Sequence, residues 1–155
     1  QHTIDPATAT DLAKIDNIVA IKDSSGSLES IRNFIEATPS DFHVLVGPDA
    51  LIVEGLRSGA WGSVSGLANI CPRLVSAVYH LYTEGRETEA IEAQARLARV
   101  RDLLKHGNPN SVAKAATNII GQIVGPARRP ATVSNDVIKL LSSELEEILD
   151  FNTDI

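Results

Sequence analysis

The sequence predicts an α/β fold built on a parallel sheet. Short, nearly continuous apolar runs alternate with segments of helical periodicity, and the alternation recurs three times at about 20-residue spacing. After residue 84 the apolar runs stop and only helical patterns remain.

Taken in order, PATATDLAKI (6–15) opens on a proline suited to a helix start and spaces its apolar residues for one face. NIVAIK (17–22) reads as a parallel strand buried on both faces. DSSGS turns the chain and offers N-caps. LESIRNFIEAT then places Leu28, Ile31, Phe34 and Ile35 at helical spacing, until Pro39 stops it. FHVLVG (42–47) is the second strand, and LIVEGLRSG a short helix ending at Gly59. WGSVSG (61–66) is the third strand, followed by the helix CPRLVSAVYHLYTEG. RETEAIEAQARLARVRDLLKHG is a long amphipathic helix, and NSVAKAATNIIG a shorter one closed by Gly121. The turn GPARRPA leads to SNDVIKLLSSELEEILDF, with Ser134 as its N-cap.

Three parallel strands leave two unpaired edges and little cover, and a complete eight-stranded βα barrel takes ~250 residues. The chain therefore reads as the C-terminal part of a (β/α)8 TIM barrel: βα units over residues 1–83, then a helical extension of the same domain over 84–155. It has no methionine and begins with Gln1, which predicts a processed chain or a fragment of something longer.

A net charge of −6 argues against a nucleic-acid partner. Arg96, Arg99, Arg101 and Lys105 are interleaved with Glu89, Glu92 and Asp102 and read as a solvated helix face. No apolar run approaches the ~20 residues of a membrane span, and QHTIDPATAT does not read as a signal peptide. The single cysteine, Cys71, leaves no internal disulfide and no zinc cluster, in keeping with a reducing cytoplasm.

In parallel βα architectures the strand C-termini and the loops after them line the site. Here those places hold Lys22 with Asp23, Ser24 and Ser25; Gly47 with Pro48 and Asp49; and Val64 with Ser65, Gly66 and Asn69. Lys22 stands out. Burial of a lysine among apolar groups favours its neutral amine, which attacks a ketone to form a Schiff base. The plainer reading is a strand-end lysine that reaches to solvent or pairs with Asp23. His43 reads as a boundary histidine, Cys71 as a small core residue, and Trp61 as packed in the core or under the helices.

NIVAIKDSSGSL resembles the Schiff-base lysine segment of the dihydrodipicolinate synthase and N-acetylneuraminate lyase family of class I aldolases. VLVGPDALIVEGLRSGAWGSVSGLANICPRL is similar to its continuation, with Gly47, Asp49, Gly59, Gly62, Ser65, Asn69 and Pro72 as matching positions. RRP at 128–130 falls where the family often has Arg-x-Pro.

The resemblance implies that Lys22 forms the imine and that Gly47, with Asp49, lies in the pocket for the second substrate. It also implies that the Val64 carbonyl faces the lysine, with Ser65 on the rim, while Asn69 and Pro72 shape the loop and start the helix. Implied too are a 2-oxo acid such as pyruvate plus an aldehyde, reversible aldol chemistry without metal or organic cofactor, and a homotetramer using ETEAIEAQARLARV in part of its interface. GPDA stands where dihydrodipicolinate synthases often show Gly-Asp-Asp, so the resemblance does not single out the aldehyde.

The family's catalytic tyrosine (in Tyr-Asn-x-Pro) and its carboxylate-binding loop would fall before residue 1, and neither Tyr79 nor Tyr82 replaces the tyrosine. The chain alone is thus expected to show little activity and to need the N-terminal half of the same protein. Two other readings stand beside this one: a catalytically inactive small-molecule-binding or regulatory barrel of the same family, and an unrelated α/β domain with a structural lysine.

Overall fold

The computed structural model describes residues 3–150. Helix α1 (Pro6–Leu12) begins where the proline predicts, with Asp5 as N-cap accepting from the Thr8 N–H at 2.7 Å. It ends earlier than its periodicity, and turns occupy most of the interval to β1 (Ala20–Asp23). Ser27 caps α2 (Leu28–Ala37) by accepting from the Ser30 N–H at 3.2 Å. β2 (His43–Val46) follows, then a 3₁₀ turn at Asp49–Leu51, α3 (Ile52–Arg57) and β3 (Gly62–Ser63). A second 3₁₀ turn, Gly66–Asn69, leads into α4 (Pro72–Thr83). Helices α5 (Glu87–Leu103), α6 (Pro109–Ile119) and α7 (Asn135–Asp150) complete the described chain, and Ser134 caps α7 by accepting from the Val137 N–H at 3.3 Å.

The sheet is parallel in the order β1-β2-β3, with Lys22 beside Leu45 and Leu45 beside Gly62. Its mouth therefore gathers the chain after all three strands. β3 is shorter than its sequence run. Trp61 and Val64 extend the ladder by single bonds to the Val44 and Val46 carbonyls, both at 2.9 Å, but Ser65 already turns away to cap the following 3₁₀ turn.

The expectation of strands buried on both faces needs correction. Val44 and Val46 alternate with the half-buried His43 and Leu45, and only the first pair packs under the helices. On β1 the same alternation buries Asp23 and exposes Lys22. Trp61 is likewise not a core residue: it is 59% exposed and stacks on His43 at a ring separation of 4.7 Å. The face that carries Lys22 and Leu45 is only partly covered by the described residues, so apolar composition there does not become burial.

Two cores result. Ala9, Ile31, Phe34, Val44, Val46 and Ala60 form a small one between sheet and helices. A much larger one runs from Ile52 in α3 through Leu74, Val78, Leu97 and Val112 to Leu141 and Leu145 in α7. Tyr79 and Tyr82 pack against this second core. On the outer surface Arg99 pairs with Glu147 at 2.9 Å and Lys105 with Asp102 at 2.6 Å, as a solvated face requires. Among the described residues no helix is long and apolar enough to cross a membrane.

Candidate active site

β1 ends because its last side chain closes a turn on itself. The Asp23 carboxylate, 6% exposed, accepts from the Ser25 N–H at 2.7 Å and from the Ser25 hydroxyl at 2.9 Å. Asp23 is therefore committed to the turn. Among the described residues no carboxylate lies within ion-pair distance of Lys22, so the Lys22–Asp23 pair does not form.

Lys22 lies against Gly47 instead. The Gly47 N–H donates to the Asp23 carbonyl at 2.7 Å. A Cβ on Gly47 would stand 2.5 Å from that carbonyl oxygen, 2.6 Å from Ser24 Oγ and 2.8 Å from Lys22 Cε. Glycine is required there by close approach, because the next strand's turn passes directly over the lysine's stem. The structure thus brings two of the expected residues, Lys22 and Gly47, into contact.

Two others form a second pair. The Ser65 hydroxyl donates to Asp49 Oδ1 and accepts from the Leu67 N–H at 3.1 Å. This ties the loop after β2 to the loop after β3. Val64 lies next to that pair with its side chain exposed. Asn69 Nδ2 donates to the Gly66 carbonyl at 3.0 Å, and Pro72 takes the first turn of α4, so both shape the loop. Cys71 is buried, and burial pushes its thiol up to about 12, with the Asp49 charge adding to the effect. Such a thiol is a core residue rather than a nucleophile. No group of three or more His, Cys, Asp or Glu among the described residues could hold a metal ion.

Sequence reading passed over one residue. Gln94, on α5, accepts from the Val53 N–H through Oε1 at 2.8 Å and donates from Nε2 to the Ala50 carbonyl at 3.2 Å. A polar residue on a charged amphipathic helix carries no local mark of a contact more than forty residues away.

Residues 1–148 match the model of the Dihydrodipicolinate synthetase family. The chain is 37% identical over 153 residues to the 4-hydroxy-tetrahydrodipicolinate synthase of Methanothrix thermoacetophila, covering 97% of this chain and 52% of that protein. It is 38% identical over 145 residues to the enzyme of the same name from Bacillus velezensis, covering 92% and 50%. It superposes on the crystal structure of a dihydrodipicolinate synthase from Bacillus anthracis with a TM-score of 0.85 at 29% identity, over 94% of this chain and 50% of that one. The chain spans about half the length of the curated relatives it matches. The three parallel βα units and the helices after them are accordingly the C-terminal part of a (β/α)8 barrel.

Proposed function

Because the chain belongs to the dihydrodipicolinate synthetase family, we propose that it carries the Schiff-base half of a pyruvate-dependent class I aldolase or synthase. The contact between Lys22 and Gly47 at the mouth of the sheet is the observation that carries this reading. The neutral Lys22 amine attacks the keto carbon of pyruvate or another 2-oxo acid, and the resulting carbinolamine loses water to give an imine. The imine draws electrons from the adjacent carbon. Loss of a methyl proton then gives an enamine that adds to an aldehyde, and the reverse sequence cleaves an aldol. Gly47 leaves the lysine's stem room, while Asp49, Ser65 and the Val64 carbonyl line the side that receives the second substrate.

Lys22 is exposed here, so the described residues leave its amine, and any imine formed on it, open to water. We therefore assign full activity to a barrel closed by its N-terminal half, in the same chain or a second one. That half would cover Lys22 and supply the groups that move protons, help worth ~10²–10⁴-fold in rate. The edges of β1 and β3, unpaired among the described residues, and the exposed side chains of Trp61 and Val64 support this. We assign residues 1–83 to the barrel and 84–155 to its helical extension, of which 1–2 and 151–155 lie outside the described residues. The whole protein is assigned as a homotetramer with α5 in part of its interface, and light scattering reads that state directly.

The exposure of Lys22 also favours a second reading, a barrel of this family that binds a small oxo acid without turning it over. Treatment with pyruvate and borohydride, followed by intact-mass spectrometry and peptide mapping, separates the two. A reduced pyruvyl adduct on Lys22 is the expected result. No adduct when the N-terminal half is present overturns the aldolase reading in favour of the binding barrel.

A further inference from the structure

We propose that Gln94 is a positioning residue: it sets the turn that carries Asp49, and so tunes capture of the second substrate without taking part in imine formation at Lys22. The inference rests on the aldolase reading for its functional half and on geometry for the rest.

Helix α3 starts without a local cap. Leu51 stands at the N-cap position and its side chain offers no acceptor, so no side chain of the same segment caps the first turn of α3. Gln94 supplies the missing acceptor from another helix: its Oε1 takes the Val53 N–H at 2.8 Å, and its Nε2 holds the Ala50 carbonyl at 3.2 Å. One planar amide therefore grips the 3₁₀ turn on both sides of Leu51. Asp49, the first residue of that turn, is bonded in turn to Ser65. The result is a continuous link from α5 through the turn after β2 to the loop after β3. Lys22 is not on that link; it belongs to β1 and meets Gly47 before the turn begins. The clamp also walls a cavity of about 320 Å³ whose charged lining groups are Asp49 and Arg101, so its loss would loosen the Asp49 side of the mouth.

Gln94→Met keeps the length of the side chain and removes both hydrogen bonds. Gln94→Glu keeps the acceptor for Val53 and loses the donor to Ala50. In hydrogen-exchange mass spectrometry of the full chain, Q94M is expected to speed exchange over residues 49–54 by roughly fivefold, the scale of a lost cap. Exchange in α4 and α6 stays as in the parent, and Q94E restores protection at Val53. In turnover of pyruvate by the barrel with its N-terminal half present, with aspartate semialdehyde as the aldehyde probe, Q94M raises the aldehyde KM about fivefold and leaves the pyruvate KM and the Lys22 adduct unchanged. Unchanged exchange over 49–54, exchange that rises equally throughout α4 and α6, or KM values that rise together overturn the proposal. A parent protein that forms no Lys22 adduct with its N-terminal half present overturns the aldolase reading alone; the exchange comparison still decides whether Gln94 holds the turn.

Discussion

The sheet layer and the helical body divide stability and chemistry between them. Helices α3–α7 enclose the larger core, in which Leu67, Val78, Leu97, Val100, Leu141 and Leu145 are almost completely buried. The sheet with α1 and α2 shares the smaller one, and its other face leaves Lys22 exposed. Every residue proposed to touch substrate lies at the end of one of the three strands or in the loop after it, and some of the contacts that hold those loops reach in from the body, as Gln94 does on Ala50 and Thr117 on the Asn69 carbonyl at 3.4 Å. A rigid helical mass can thus define a mouth whose own strands are short.

If the body carries the stability, Leu97→Ala is the most damaging single change considered: about 3 kcal/mol from lost burial and the cavity left behind, read as a lower urea midpoint. A midpoint that did not move would break the division between the two regions. Gly47→Ala comes next, at ~2 kcal/mol, because the added methyl meets backbone at the Asp23 carbonyl and cannot be relieved by a side-chain rotation. It also reduces the Lys22 adduct, which Leu97→Ala does not do while the protein stays folded.

A pH effect in the body is smaller. The Cys71 thiol is raised from 9.0 to about 12 in the folded chain, so below about pH 9 it is protonated in both states and makes no difference. Between 9 and 12 the unfolded chain releases the proton first, and stability falls as pH rises, by ~1 kcal/mol near pH 10. Cys71→Ala should flatten that slope in urea titrations at successive pH values. Smallest in stability is Lys22→Ala, within ~0.5 kcal/mol because the side chain is exposed and unpaired among the described residues. The same substitution removes the pyruvate adduct entirely. A large drop in midpoint for Lys22→Ala would show that the lysine is structural after all.

Much of this was legible in the sequence by itself. Alternation of apolar runs with helical spacing determined the βα order, proline and serine determined the starts of α1, α2 and α7, and NIVAIKDSSGSL with its continuation pointed to the family and marked Lys22 as the residue to test. These are local properties: periodicity, capping and turn chemistry are decided by residues a few positions apart. Only tertiary structure decided the rest. Burial is a property of what lies opposite, so an apolar run could not say that Trp61 would stand exposed against His43, or that the β1 face bearing Lys22 would be open. Nor could spacing show that Gly47 must lack a Cβ to pass Lys22, that Asp49 would bind Ser65, or that Gln94 would cap a helix remote in sequence. Each of those depends on two segments meeting in space, and folding brings them together only through the packing of all the others.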